Sequence, residues 1–236
     1  MVIARSLLSM TLLLLIAAPA DGQIAPAPAQ AALGNRIQFS GRIMQQDPAG
    51  EGLHEWRNIA DHRLEVRVTD SSGDAHVLVR GSAAGGQLNL EVTSPASELL
   101  LPVADYASEI SAIFSGSFFG PIPMAPAVSN NRARIQRFGR LEVRTAEDRS
   151  AGFVQRWRKE PASTMQLSWL FADRDVNISG RASAPGVVGE VDLRLKQGWN
   201  AVLLTLIYER GRDGRLLLRT SSRLPSMQWI YWELGG

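Results

Sequence analysis

The stretch Arg63-Leu-Glu-Val-Arg-Val-Thr69 decides the class of fold, because charged or polar side chains alternate with aliphatic ones along it. A period of two puts every second side chain on one face of an extended chain. The segment therefore reads as a strand with one face in a core and one in water. Asp70-Ser-Ser-Gly-Asp74 follows with turn composition, then an extended run from His76 to Gly81. Ser82-Ala-Ala-Gly-Gly86 turns the chain again into Gln87-Leu-Asn-Leu-Glu-Val-Thr93, which alternates like the first segment. Three strands on two short glycine-containing turns predict an antiparallel meander.

Upstream, Ile37, Phe39 and Gly41 alternate with Gln38, Ser40 and Arg42 in the same way. Downstream, Ser94 to Pro126 breaks the pattern. Asp105 to Phe114 predicts one short helix, with Asp105 as its N-cap and Ile110, Ile113 and Phe114 on one side. Ser115 to Val128 (SGSFFGPIPMAPAV) has too much proline and glycine for a regular element. Its apolar Phe118, Phe119, Ile122 and Met124 are expected to pack between layers.

Strand patterns then resume at Ala133–Phe138, Arg140–Thr145, Gly152–Arg158, Met165–Ala172 and Val176–Arg181. They continue at Gly189–Lys196, Ala201–Glu209, Leu216–Ser221 and Gln228–Glu233. Arg212-Asp213-Gly214-Arg215 carries the Asp-Gly signal of a type I′ hairpin, and Ala184-Pro185-Gly186 marks a further turn. The fold class expected is all-β: antiparallel β-sandwich units, two packed and possibly related halves, with one short helix at most. The domain limits expected are 35–114 and 132–236, with 115–131 as a Pro/Gly-rich linker. A faint echo supports related halves, since Gly41-Arg42, Trp56 and Gly81 recur as Gly139-Arg140, Trp157 and Gly180.

The chain has 236 residues, 45% of them hydrophobic, and no cysteine. That content excludes wholesale disorder and a disulfide scaffold. Met1 to Ala20 has the parts of a Sec-type signal peptide: Arg5, the apolar run Leu7–Ala18, and Ala18-Pro19-Ala20 as the small-x-small site. Cleavage is expected near Ala20. The apolar run is shorter than the ~20 residues that span a bilayer, and no other segment reaches that length. Residues 21–34, rich in alanine and proline, are expected to form a flexible tether. The protein is thus expected in the periplasm, the cell envelope or outside the cell.

The formal charge is only +2, and all but Lys159 and Lys196 of the 25 cationic side chains are arginine. The stretch Arg132 to Lys159 sets nine cations against Glu142, Glu147, Asp148 and the adjoining Glu160. Arginine alternating with aliphatics there fits a solvated strand face, and no nucleic-acid partner is expected. No metal site is expected, because His54, His62 and His76 match no ligand spacing. Asp173-Arg-Asp175-Val-Asn177 begins like a calcium loop but has Ile178 where glycine is needed and Ala184 in place of the final glutamate. A thiol, a Gly-x-Ser-x-Gly elbow and a phosphate-cradling loop are all lacking, so no catalytic residue and no cofactor is assigned.

The aromatic residues are more telling. Five of six tryptophans, Trp157, Trp169, Trp199, Trp229 and Trp232, fall in the second half. Alternation in Trp229-Ile-Tyr-Trp232 puts Trp229 and Tyr231 on one face and Ile230 and Trp232 on the other. Trp199, Trp229, Tyr231 and Trp232 are the candidate binding residues. Exposed they would stack on sugar rings, and buried they would fill the core.

The segments Trp169-Leu-Phe-Ala-Asp-Arg-Asp-Val-Asn-Ile-Ser-Gly180 and Val191-Asp-Leu-Arg-Leu-Lys-Gln-Gly-Trp-Asn200 resemble a pattern in secreted bacterial β-sandwich proteins of Deinococcus-type envelopes. In that family a "dv.i.G" strand precedes a "L.L..GWN" strand end. Leu88-Asn-Leu-Glu-Val and Leu99-Leu-Leu-Pro102 also resemble the accompanying β-domain. The resemblance implies export and a β-fold, and no catalytic residue. Locally, Gly198-Trp-Asn200 suits a turn: glycine for positive φ, asparagine bonding backbone, and the indole packed beneath. The function expected is a non-catalytic envelope or extracellular module working by surface recognition or structural packing. Its partner would be envelope polysaccharide or another envelope protein. A polysaccharide-binding module and a polysaccharide-active hydrolase are the alternatives.

Overall fold

A computed structural model describes residues 33–47, 52–57, 62–117, 119–208, 211 and 213–234. The expected signal peptide and residues 21–32 of the expected tether lie outside the described residues. Leu33 and Gly34 are fixed: Leu33 N–H donates to the Trp199 carbonyl, and Trp199 N–H donates to that of Gly34, both at 2.8 Å.

The first half contains β1 (Arg36–Gln46), β2 (Leu53–Glu55), β3 (Arg63–Thr69), β4 (Ala75–Ser82), β5 (Gln87–Thr93) and β6 (Leu101–Pro102). Helix α1 (Val103–Ser115) follows, then β7 (Ala127–Val128), β8 (Arg134–Phe138), β9 (Leu141–Arg144), β10 (Ser150–Glu160) and β11 (Ser163–Ala172). The chain ends with β12 (Val176–Ala184), β13 (Val187–Leu195), β14 (Gly198–Ile207), β15 (Gly214–Thr220) and β16 (Gln228–Glu233). The fold is all-β and mostly antiparallel, with one α-helix among the described residues.

One hydrogen-bonded sheet runs β2-β1-β16-β10-β11-β14-β15-β13-β12-β7. Branches extend one end of it: β9 joins β10 to β3, β3 pairs with β4, and β5 pairs with β1 and lies beside β4 without sharing a ladder with it. The expected meander is only half present. β3 and β4 pair antiparallel, but β5 turns away to align Arg36–Arg42 with Gln87–Thr93. β1 bends at Gly41, where φ is 134° and a side chain would meet the indole of Trp229. Beyond that bend β1 exchanges β5 for β2 and, in parallel, β16. The turns at Asp70–Asp74 and Pro185-Gly186 form as the sequence indicates. The β14–β15 hairpin also forms, although its positive φ falls on Gly211 and Gly214 already belongs to β15.

Two cores lie on opposite faces of the shared strands β11 and β14. Leu167, Trp169, Phe171, Trp199 and Ala201 face the first core, while Leu170, Ala172 and Val202 face the second. This alternation follows from the strand period of two, so each strand serves both cores. The first core is ring-filled. Phe39 lies 4.6 Å from Trp169 between centroids, Trp169 stacks on Trp229 at 5.7 Å and on Phe138 at 5.3 Å, and Trp56 stacks on Tyr231 at 4.5 Å. The second core is aliphatic and takes α1 as its lid through Val103, Tyr106, Ile110 and Phe114.

Helix α1 starts two residues earlier than Asp105, with Pro102 at the N-cap, and Asp105 lies in its first turn. Proline suits that place, since it cannot extend a helix backwards. The segment expected as a linker delivers Ile122 and Met124 to the second core, and β7 pairs with β12. Strands from both sides of that segment share ladders: β1 with β16, β3 with β9, β6 with β8. The echoed positions are not equivalent, because Trp56 is in the first core and Trp157 is on an outer face.

Candidate functional site

The face of the sheet that α1 covers continues past the side of the helix. Register places Arg80, Glu65, Glu142, Phe153 and Trp232 in a row across β4, β3, β9, β10 and β16. Two residues along β10 stands Gln155, and two further Trp157, opposite Gln166 of β11. On the same face β8 presents Arg137, beside Leu170. Along the flank of the helix, at Glu109, a groove of about 520 Å³ opens along Arg67, Gln136, Arg137, Arg140, Glu142 and Gln155. Its size is that of a small-molecule or short-chain site. A narrower recess of about 240 Å³ shares Arg137, Gly139 and Gln155 with it and runs under Tyr106.

The groove has a fixed polar frame. Arg137 forks onto Glu109 of α1, with Nε donating to Oε2 at 2.7 Å and the second arm on Oε1. A bidentate pair of this kind fixes direction as well as charge. The Arg137 guanidinium also lies 5.9 Å from the Tyr106 ring centroid. Burial lowers the Arg137 pKa from its usual value, and it pushes that of Tyr106 up to about 12. Gln136, 3% exposed, ties three segments together. Its Nε2 donates to Thr69 O at 3.1 Å and to Leu99 O, and its Oε1 accepts from Arg137 N at 2.9 Å.

At one end the carboxylates are held by arginines. Glu65, 1% exposed, is met by Arg63 at 3.1 Å, Arg80 at 3.0 Å and Arg67 at 3.7 Å. Glu142 is met by Arg67 at 3.5 Å and Arg144 at 3.6 Å. Within the basic stretch Arg137 pairs with Glu109 of α1, while Arg144, Arg149 and Arg158 pair with acids close in sequence, Glu142 and Asp148, Glu147 and Glu160.

Next to Glu142 along the row, outside the groove's lining but adjoining its Arg140 and Gln155, stands an aromatic ledge. Phe153 and Trp232 rings are within 24° of parallel, with centroids 6.4 Å apart, and Trp157 stands at 88° to Trp232 at 5.6 Å. All three side chains are half-buried. The guanidinium of Arg140, itself exposed, lies 5.1 Å from the Phe153 centroid.

The four candidate rings separate as alternation requires. Trp199, Trp229 and Tyr231 are buried at 0%, 2% and 6% exposure and offer no stacking face to a ligand. They are core because Trp229 and Tyr231 point into the first core, where Trp199 also packs edge-on against Phe138 and Phe171. Arg156 lies over Trp229 at 5.3 Å, closing that ring from a further side. Only Trp232 of the four reaches the outer face. Phe153, Trp157, Gln155 and Arg140 were not among the candidates, although the spacing of 153, 155 and 157 carried the signal that they share a face.

The other residues singled out in the sequence are structural. Asn200 is fully buried and pins the corner between β13 and β14: Oδ1 accepts from Lys196 N at 2.9 Å, while Nδ2 donates to Lys196 O at 2.7 Å and Gly198 O at 2.9 Å. Gly198 has φ 99° there, as the turn reading requires. Asp173 accepts from Arg134 N, and Asp175 accepts from Gln197 N and pairs with Lys196 at 2.7 Å. His54 pairs with Asp47 and His76 with Asp70. Among the described residues no group of three or more acids and histidines is placed to hold a metal ion, and no described helix is long and apolar enough to cross a membrane. No family model, curated protein or solved structure matches this chain.

Proposed function

We propose that the protein is a non-catalytic extracytoplasmic recognition module whose working surface is the groove between α1 and the bare end of the β10–β16 sheet face. The observation that carries this reading is a 520 Å³ polar groove flanked, through its Arg140 and Gln155, by a half-exposed aromatic ledge. Aromatic side chains are found at binding surfaces because they bury much area at little entropic cost. Glu109 and Glu142, the groove's carboxylates, are each held by arginine, an arrangement suited to a rigid rim rather than to proton transfer. Export is supported by the signal-like composition of residues 1–20.

Hydrogen exchange of the purified protein, with and without isolated envelope material, tests the reading. Protection is expected in α1, in residues 136–142 and in β10. Binding that protects other regions, or no binding, would overturn it. N-terminal sequencing of the exported protein should begin at or near Asp21, and a protein retaining Met1 would remove the extracytoplasmic part.

A further inference from the structure

We infer that the groove takes an acidic polysaccharide, a chain of sugar rings bearing carboxylates; this rests on the recognition reading above. Sugar rings carry a face of C–H bonds that packs on aromatic faces. The half-buried rings of Phe153, Trp232 and Trp157, packed against one another, supply an aromatic patch on which such a face can pack. The charge follows from bookkeeping of pairs. Arg137 is committed to Glu109 and Arg67 to Glu65 and Glu142, whereas Arg140 has no acidic partner among the described residues. Its guanidinium stands over the ring next to Trp232, where a carboxylate on a stacked sugar can reach it, and its planar fork matches a carboxylate. Gln155, between Phe153 and Trp157 on the same strand face, has no hydrogen-bond partner among the described residues and supplies a donor and an acceptor for hydroxyls. A polyphosphate would call for several uncompensated cations, which the groove lacks.

The test is electrophoresis of the native protein through gels containing polygalacturonate, its fully methyl-esterified form, or polyphosphate. Retardation by polygalacturonate but not by the ester is expected, weakened on the order of tenfold by Arg140→Ala, as for loss of one charge-assisted contact. Trp232→Ala should weaken it comparably and Trp232→Phe much less, each with an unchanged near-ultraviolet spectrum of the core tryptophans apart from the missing ring. Equal retardation by the ester overturns the acidic requirement and leaves the groove as a recognition surface. Retardation by polyphosphate as strong as by polygalacturonate, and indifferent to Trp232→Ala, overturns the inference in favour of charge alone. Failure of every polymer to retard the protein also overturns it; protection of groove amides by envelope material then points to a protein partner.

Discussion

The two cores share strands β11 and β14 yet are filled in opposite ways. The first core has no α-helix against it and gathers eight buried rings among its aliphatic side chains: Phe39, Trp56, Phe138, Trp169, Phe171, Trp199, Trp229 and Tyr231. The second is filled by Ile110, Ile122, Ile178, Leu170, Leu193 and similar side chains, with a helix laid across the sheet. Where no helix packs on the strands, their own side chains must fill the space to crystal-like density, and large ones do so here. A helix brings its own volume to a sheet, and branched aliphatics suffice. The lesson is that the tryptophan-rich second half of the sequence reports a packing problem in the first core, since Trp169, Trp199 and Trp229 all point there.

The contrast is sharpest at adjacent residues, because Trp169 and Leu170 face different cores from one strand. Trp169→Ala is expected to cost about 3–5 kcal/mol and Leu170→Ala about 2–5 kcal/mol. Urea unfolding of both, followed by fluorescence and by circular dichroism, should give one coincident transition in each case. Separate transitions for the two probes would show that the cores unfold independently and that the shared wall does not couple them.

A smaller effect is expected where the wall itself is pinned. Asn200→Ala leaves the Lys196 N–H and the carbonyls of Lys196 and Gly198 without their buried partner, which should cost about 1–3 kcal/mol. Both cores should loosen together, so amide exchange should quicken in β13 and β14 and at the Leu33–Trp199 contact. Quickening confined to one core would break the comparison.

The smallest effect belongs to the rim of the first core. Asp70 accepts from Ser72 Oγ at 2.6 Å, pairs with His76 at 2.6 Å and accepts from Asp74 N and Ser72 N. The Ser72 hydroxyl, His76 and the two amides hold its pKa far below 3.8. A carboxylate depressed on folding contributes stability that is present above its unfolded pKa, about 3.9, and is lost as pH falls through the folded value. Stability should therefore decline in strong acid, and Asp70→Asn should flatten that decline without changing the plateau's dependence on pH near 7. An unchanged acid limb in the variant would remove Asp70 as its source.

Much of the fold was legible because strand alternation is local. Arg63–Thr69 and Gln87–Thr93 showed their buried faces directly, the strands after residue 132 fall where the apolar runs lie, and Gly198-Trp-Asn200 forms the turn its chemistry requires. Alternation also separated Trp229 and Tyr231 from Ile230 and Trp232 correctly. It could not say which of the two faces was inside, because that depends on what each face meets. The groove was hidden for a related reason: Glu109, Arg137, Glu142 and Gln155 come from α1, β8, β9 and β10, and only strand order makes them neighbours.

By itself the sequence determined which segments are strands, where they turn and which side chains share a face, since each follows from backbone geometry over a few residues. Only the tertiary structure decided that β5 leaves β4 for β1, that β1 lies parallel to β16, and that β15 enters between β13 and β14. Those choices pair residues far apart in the chain. Their free energy comes from burying rings and aliphatics against faces that do not exist until the whole sheet is assembled.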